Sequence, residues 1–381
     1  LGKQMKIKIK LSELLYFLAF FIWLLFNFIA QTNLVNKYPN IYRYRIVAMV
    51  ACILILFVKL VLEKTKSRFL FFFLLMICLA LAIGVTTHKL FDGLTIISTI
   101  LLIISIQNVS FRKILILWSS SIFIFMLFVF MGLKVGFIEN TLRIQLGGRL
   151  RLSQGYQYVS LGANYLFHFT LVYLYLRRNR ITIFFSNPRR SVSKNVITFF
   201  ETLLLGLVNY YFYVNTDTKS AFYLSIVALA LVYLFKNKVI DQKILNRTGH
   251  IVLTAGMVIP ILLTYFYNAN SRFLQTLNIA LTGRLSLGNK AMSLYGVHLF
   301  GQRIDWELQQ RATSVFDNYL YVDSSFVNIL LHYGVILLIV IWFSYYRLIK
   351  RGYFNTVETL VFVVLIIHSM FDPQFFELMY N

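Results

Sequence analysis

Long runs of apolar residues constrain this chain more than any other feature. The segments 69–85 and 114–131 contain no charged side chain at all. A surface helix of a soluble protein has one polar face, whereas about 20 consecutive apolar residues are what a helix needs to cross the hydrocarbon core of a bilayer. With 59% hydrophobic and only 13% charged residues, the composition also excludes a disordered chain. The sequence therefore predicts an all-α, polytopic integral membrane protein.

The apolar runs predict about eleven transmembrane helices. These lie near residues 11–30, 46–62, 69–87, 94–108, 114–133, 162–176, 196–214, 220–235, 251–267, 325–346 and 356–371. We expect the first to be a retained span rather than a signal peptide, because no small-residue cleavage site follows it. No internal repeat or soluble domain boundary is evident, so residues 1–381 are expected to form a single transmembrane domain.

The charge distribution sets the expected orientation. The chain carries 37 Lys and Arg against 14 Asp and Glu, which gives a formal net charge of +23. If the amino terminus is cytoplasmic, the connections that are densest in Lys and Arg fall on the cytoplasmic side, as the positive-inside rule requires. The excess charge is then explained by membrane topology, and it needs no nucleic-acid partner.

Two connections are much longer than the others, and both face outward in this topology. They are the loops 134–161 and 268–324, and long loops in compact proteins are commonly functional. Leucines recur at helical spacing in the second loop, which predicts an amphipathic helix lying in the membrane interface. These leucines are Leu274, Leu277, Leu281 and Leu285.

The outer loops also concentrate basic side chains on a face where positive charge is normally sparse. A guanidinium is a planar fork of donors that stays charged and fits phosphate oxygens two at a time, which suits a diphosphate headgroup. The alternative is that each side chain only extends to a lipid phosphate. The basic residues concerned are Arg143, Arg149, Arg151, Arg272, Arg284, Lys290, Arg303 and Arg311.

Two acidic residues border predicted spans on the outer side. Asp323 precedes the span 325–346, where a carboxylate could accept a proton from an attacking hydroxyl; as Asp followed by two serines, it also fits a helix N-cap. Asp372 closes the last predicted span. His168 and His332 lie at predicted membrane depth, as packed or functional groups. Metal-ligand spacing is absent from the sequence, so we expect neither metal nor cofactor.

Several motifs occur in a fixed order along the second outer loop and the helix after it. They are Leu281-Thr282-Gly283-Arg284, then Tyr295-Gly296-Val297-His298-Leu299-Phe300-Gly301-Gln302-Arg303-Ile304, then Val322-Asp323-Ser324-Ser325-Phe326 and Tyr333-Gly334. The first loop adds Arg151, Gly155, Gly162 and Asn164. In this order and topology the chain resembles the bacterial O-antigen and capsule polymerases of the Wzy type. It departs from them at Gly162-Ala163-Asn164, where that family frequently has His-Pro-Asn.

The resemblance implies a metal- and nucleotide-independent membrane glycosyltransferase. Such a polymerase transfers a growing glycan from undecaprenyl pyrophosphate to the next lipid-linked repeat unit, for a surface polysaccharide such as O-antigen, capsule or exopolysaccharide. The site would lie at the outer face of the bacterial cytoplasmic membrane. Asp323 would be the catalytic base and Arg284 a catalytic, pyrophosphate-binding residue. Further pyrophosphate contacts would come from Arg143, Arg151 and Arg303, and substrate contacts from Asn164, Lys290, Arg311 and Asp372.

Two other functions remain open from the sequence. An O-antigen ligase would share the fold and chemistry and differ in its acceptor; a histidine in place of Asp323 would favour it. A flippase or transporter of lipid-linked sugars would more often show two related halves and polar residues at the membrane midplane. The expected partners are undecaprenyl-pyrophosphate-linked oligosaccharides, membrane lipids, and flippase and chain-length regulator proteins, with no nucleic acid.

Overall fold

The protein is described from a computed structural model. The residues described are 10–63, 67–87, 90–145, 149–178, 191–235, 240–304, 306, 320–352 and 354–380. The chain is mostly helical, with 74% of residues in helices and 2% in strands. It divides into two compact units, one comprising Leu1–Val85 and Lys89–Glu139 and the other comprising Thr86–His88 and Asn140–Asn381.

The helices of the first part of the chain are long and apolar, apart from one that has four residues. They are α1 (Leu11–Ile29), α2 (Leu34–Lys37), α3 (Ile41–Leu62), α4 (Ser67–Thr87), α5 (Leu90–Ile104) and α6 (Phe111–Lys134). Helix α1 packs against α3 and α6, and α3 packs against α5. Several buried polar groups of this unit are paired, as is usual for buried polar atoms. The Trp23 indole donates to the Ser98 hydroxyl at 3.2 Å, and the buried Lys59 ammonium lies 2.6 Å from Glu63 Oε2.

The second unit begins with a short β-hairpin and continues through nine described helices. The strands are β1 (Leu142–Gln145) and β2 (Arg149–Leu152). The helices are α7 (Leu161–Arg178), α8 (Ser191–Thr216), α9 (Lys219–Phe235), α10 (Gln242–Tyr265), α11 (Arg272–Ala280), α12 (Arg284–Tyr295), α13 (Ser325–His332), α14 (Val335–Lys350) and α15 (Thr356–Ser369).

Helix α15 connects the two apolar cores of this unit. It packs against α7 and α9 on one side and against α10 on the other. Its Val364 belongs to a buried cluster with Phe167 of α7, whereas its Ile366 belongs to a second cluster with Phe326 of α13. Because α15 is held on both sides, the residues that follow it are delivered to a defined place between α7 and α13.

Among the residues that the structure describes, four helices are long and apolar enough to cross a membrane: α1, α3, α6 and α10. Large apolar side chains on these helices stay exposed, including Val47, Leu54 and Phe57 of α3. Exposed apolar surface of this kind is costly in water and suits contact with lipid. The remaining predicted spans coincide with helical residues, but their crossing of a membrane stays a prediction.

The predicted span 325–346 is wrong as a single helix, because the structure divides it at Tyr333 and Gly334. Gly334 has a φ of +91°, which a residue with a side chain rarely adopts. The reason for the break is a loop that approaches it: Val335 N donates to His298 O at 3.1 Å, and Ile336 N donates to Leu299 O at 3.1 Å. These bonds to a distant loop replace the bonds that a continuous helix would make.

The outer loops also differ in detail from the sequence expectation. The leucine stripe of the second loop is divided between α11 and α12 by a turn in which Thr282 and Gly283 have φ values of 56° and 83°. The all-α prediction does not include the hairpin of the first loop, where Leu142 pairs with Leu152 in an antiparallel register. Short strands of this kind carry too little pattern to be distinguished from a loop.

The close approach at Gly334 makes a testable prediction. A Cβ added there would collide with the Gly301 nitrogen and the Leu299 carbonyl, whereas a Cβ at Gly136, which also has a positive φ of 75°, would meet nothing within 4 Å. Both alanine variants carry strain from the positive φ, of about 1–3 kcal/mol, and only Gly334→Ala adds the collision. We therefore expect Gly334→Ala to lower the thermal unfolding midpoint in detergent clearly more than Gly136→Ala. Equal losses would contradict the proposed backbone contact.

Candidate active site

An ion pair between Arg284 and Asp323 is the first element of the site. Arg284 Nε lies 2.9 Å from Asp323 Oδ2, and the two side chains are 27% and 23% exposed. Arg284 is the first residue of α12. Asp323 lies outside any helix or strand, in a segment in which Leu320 and Val322 are buried. The pair therefore joins two elements that are 39 residues apart.

The sequence left open whether Asp323 simply caps a helix. In the structure the N-cap residue of α13 is Ser324, and its side chain makes no capping hydrogen bond. The Asp323 carboxylate is instead bonded to the Arg284 guanidinium. Asp323 is thus an ion-pair partner of Arg284 and not the N-cap of α13, and its role as a base stays a prediction.

Ser325 fixes the start of α13 against the turn that follows α15. Its hydroxyl donates to the Asp372 carbonyl and accepts from Phe375 N at 3.0 Å. The Phe326 and Phe375 rings pack with centroids 5.3 Å apart. These contacts hold Asp372 in the same neighbourhood as Asp323.

Asn164 and Asp372 form a second polar pair. Asn164 Nδ2 donates to Asp372 Oδ2 at 2.9 Å, and the two residues are 0% and 6% exposed. Asn164 Oδ1 and Asp372 Oδ1 are buried, and neither atom has a hydrogen-bond partner among the described residues. Asn164 is placed by the first turn of α7, where its backbone nitrogen donates to Ser160 O.

A layer of aromatic side chains adjoins Asn164. His168 Nδ1 lies 2.8 Å from Asn164 O, and the His168 ring lies 5.4 Å from the His368 ring and 5.3 Å from the Tyr380 ring. Tyr380 also packs on Tyr165 with centroids 4.7 Å apart. His168 is a candidate from the sequence, whereas its contacts with His368 and Tyr380 emerge only in the fold. One available signal was the spacing of four residues between His368 and Asp372.

The charges of the Arg284–Asp323 pair and of the Asn164–Asp372 pair influence each other. Burial raises the pKa of Asp372 to about 7; the Asn164 hydrogen bond and Arg284 oppose this increase, whereas Asp323 and Glu377 add to it. Burial would by itself lower the pKa of Arg284, but its contacts with Asp323 raise that pKa overall. Arg284 therefore stays charged at every accessible pH, while Asp372 can exchange a proton near neutrality.

Arg143 lies at the edge of this site. It is exposed on β1, and its Nη2 donates to Gln157 O at 2.7 Å. Its guanidinium also lies over the Tyr158 ring, 5.7 Å from the centroid. Tyr158 is close enough to interact electrostatically with Arg284, so an extended ligand could reach both arginines.

Arg151 has a different environment. Although it is predicted to bind pyrophosphate, it is buried, and its guanidinium donates to the Thr216 carbonyl and to Thr218 Oγ1, the latter at 3.1 Å. These bonds connect β2 to the turn between α8 and α9. Its placement is that of a residue that holds the hairpin, and its contact with pyrophosphate stays a prediction.

The remaining residues that the sequence predicts to bind substrate or pyrophosphate are Lys290, Arg303 and Arg311. Lys290 and Arg303 are exposed; Lys290 lies six residues after Arg284 on α12, which turns it about 120° away around the helix axis. Arg311 lies outside the described residues. Within the described part of the chain, no group of three or more His, Cys, Asp or Glu side chains could hold a metal ion. Metal independence stays a prediction.

No family model, curated protein or solved structure matches the chain. The site is therefore interpreted from its own geometry, and the resemblance to the Wzy-type polymerases stays an expectation from the sequence motifs.

Proposed function

We propose that this protein is a membrane glycosyltransferase that joins undecaprenyl-pyrophosphate-linked oligosaccharide repeat units into a surface polysaccharide. The Arg284–Asp323 pair carries the proposal. A fixed cation and a carboxylate lie 2.9 Å apart and remain partly open to solvent. These are the two groups that glycosyl transfer from a pyrophosphate requires.

Arg284 is suited to the pyrophosphate. It bonds Asp323 through Nε, which leaves the two terminal nitrogens, with most of the guanidinium donors, for phosphate oxygens. One charge contact at about 4 Å contributes about 4 kcal/mol of Coulomb energy at an effective dielectric of about 20. The contact strengthens as the leaving pyrophosphate gains negative charge, so Arg284 would stabilise the transition state more than the ground state.

Asp323 is suited to accept the proton. The acceptor hydroxyl oxygen forms a bond to the anomeric carbon while the bond from that carbon to the pyrophosphate oxygen breaks. The bonding electron pair leaves on the pyrophosphate, and the hydroxyl proton passes to the Asp323 carboxylate. When the pyrophosphate engages Arg284, it competes with Asp323 for the guanidinium and makes the carboxylate available as a base.

The distribution of polar groups favours an enzyme over a conduit. Arg284, Asp323, Asn164 and Asp372 gather where α12, α13, α7 and the turn after α15 meet. A conduit needs polar groups along a path, whereas this cluster lies at helix ends. In the proposed topology these ends face the outer surface of the cytoplasmic membrane, where lipid-linked substrates arrive laterally.

The proposal predicts a defined product. Purified protein in lipid nanodiscs, supplied with undecaprenyl-pyrophosphate-linked oligosaccharide, should form a ladder of longer lipid-linked glycans without added nucleotide or divalent metal. The measurement is gel electrophoresis of the glycans. Transfer of a single unit to a different lipid acceptor would instead identify a ligase. Sugars that cross a vesicle bilayer without lengthening would identify a transporter.

Arg284→Lys tests the guanidinium directly. It keeps the positive charge but loses the planar fork, and the loss of one charge-assisted hydrogen bond, worth about 1.5–3 kcal/mol, reduces the transfer rate by about 10- to 100-fold. Arg272→Lys is a matched control, because Arg272 is likewise the first residue of a neighbouring helix and is exposed. Similar initial rates for the two variants would refute the role of Arg284.

Asp323→Asn tests the base. The amide is nearly isosteric but cannot take up the hydroxyl proton, so transfer should fall by a factor of about 100 or more while lipid-linked substrate still binds. Glu139→Gln is the matched control, since Glu139 is an exposed acid outside the site. If Asp323→Asn retained the wild-type rate in a single-turnover measurement, another group would have to be the base.

A further inference from the structure

Two buried oxygen atoms in the Asn164–Asp372 pair accept no hydrogen bond from any residue that the structure describes. Asn164 Nδ2 bonds Asp372 Oδ2 at 2.9 Å. Asn164 Oδ1 and Asp372 Oδ1 are both buried without a partner among the described residues. A buried acceptor without a donor costs about 1–3 kcal/mol, so two of them in a single contact need an explanation.

One proton removes both deficits. A carboxylate can only accept hydrogen bonds, whereas a protonated carboxyl group has one O–H donor. A carboxamide and a carboxylic acid can pair through two bonds, N–H to the acid carbonyl and O–H to the amide carbonyl. The first of these bonds is present between Asn164 and Asp372, and the two unpartnered oxygens are the atoms that the second bond would join.

We propose that Asp372 carries a proton at neutral pH and donates it to Asn164 Oδ1, so that the pair is an uncharged carboxamide–carboxylic acid pair. Asn164 thereby acts as a positioning residue that holds the protonated form. Asp372 is an acid that the site keeps neutral, in contrast to Asp323, whose side chain forms the ion pair with Arg284.

The surroundings support a neutral Asp372. Three charged groups interact with it electrostatically, and two of them, Asp323 and Glu377, are negative and oppose a further negative charge. The third is Arg284, whose guanidinium is already bonded to Asp323. Other titratable groups near the pair come from α7, from α15, from the segments beside these two helices and from the segment before α13. They are Tyr158, Tyr165, His168, Tyr321, His368 and Tyr380.

Protonation has a consequence for ligand binding that rests on the proposed function. A pyrophosphate approaching Arg284 meets one carboxylate if Asp372 is neutral and two if it is ionised. Because burial places the pKa of Asp372 at about 7, the protonated form predominates below neutrality and the ionised form above it. Rising pH should then weaken binding of the anionic lipid-linked donor, and binding of that donor should take up a proton when it starts from the ionised state.

Infrared spectroscopy of the purified protein tests the protonation without reference to activity. A protonated carboxylic acid has a C=O stretch that is absent from a carboxylate. We expect such a band at pH 6, expect it to shift when aspartate is labelled with carboxyl-¹³C, and expect it to disappear between pH 6 and pH 8. Wild-type protein without a titrating aspartic-acid band in this interval would overturn the proposal, and this outcome needs no variant to fold.

Two variants assign the band. Asp372→Asn should remove it, whereas Asp323→Asn should keep it and lower its midpoint pH, because a negative neighbour that favours protonation is gone. A band that survives Asp372→Asn, or that is lost in Asp323→Asn while the variant remains folded, would contradict the assignment to Asp372.

The pH dependence of glycan transfer tests the consequence for binding. For wild-type protein, KM for the lipid-linked donor should rise above pH 7, up to about tenfold per pH unit in the limit of binding linked to one proton, while kcat changes less. In Asp372→Asn this rise should be absent. Failure of transfer at every pH would count against the proposed function alone. If the infrared band is present but KM does not change with pH, the link between the proton and donor binding is refuted.

Discussion

Burying a polar or charged side chain among apolar helices is favourable only when the side chain has a partner. This constraint brings the residues of the candidate site together. A charge that lacks a partner in apolar surroundings costs several kcal/mol, so each such group stays where another element supplies its counterpart. Arg284 of α12 pairs with Asp323 before α13, Asn164 of α7 pairs with Asp372 after α15, and Ser325 connects the two regions. Four elements distant in sequence are thus joined by three polar contacts.

The two acids of the site have opposite electrostatic environments. Asp323 is partly exposed and forms an ion pair with a guanidinium. Asp372 is buried, and its partner is an uncharged amide, so burial raises its pKa to about 7. Environments that separate the protonation states of neighbouring acids are a recurrent feature of catalytic sites. Here they would leave one carboxylate to act as a base and keep a second from opposing an anionic substrate.

Local sequence patterns were sufficient to predict where the helices lie, but they were insufficient to predict where a helix is interrupted. Apolar runs predict helices such as Phe111–Lys134 because the hydrocarbon core dictates their length. The break at Gly334 depends on bonds from a loop more than 30 residues earlier, which no local pattern contains. Similarly, the chemistry of arginine makes both Arg284 and Arg151 candidates for binding pyrophosphate. Only the tertiary fold shows that the Arg151 guanidinium donates hydrogen bonds to Thr216 and Thr218. The pairing of Asn164 with Asp372 spans 208 residues.

The most direct test of the pyrophosphate site is a cryo-electron microscopy structure in lipid nanodiscs with undecaprenyl-pyrophosphate-linked oligosaccharide bound. If Arg284 binds the leaving group, pyrophosphate oxygens should lie within hydrogen-bond distance of its terminal nitrogens, and the first sugar should lie beside Asp323. Density for the pyrophosphate elsewhere on the protein, with the Arg284–Asp323 pair undisturbed, would contradict this assignment.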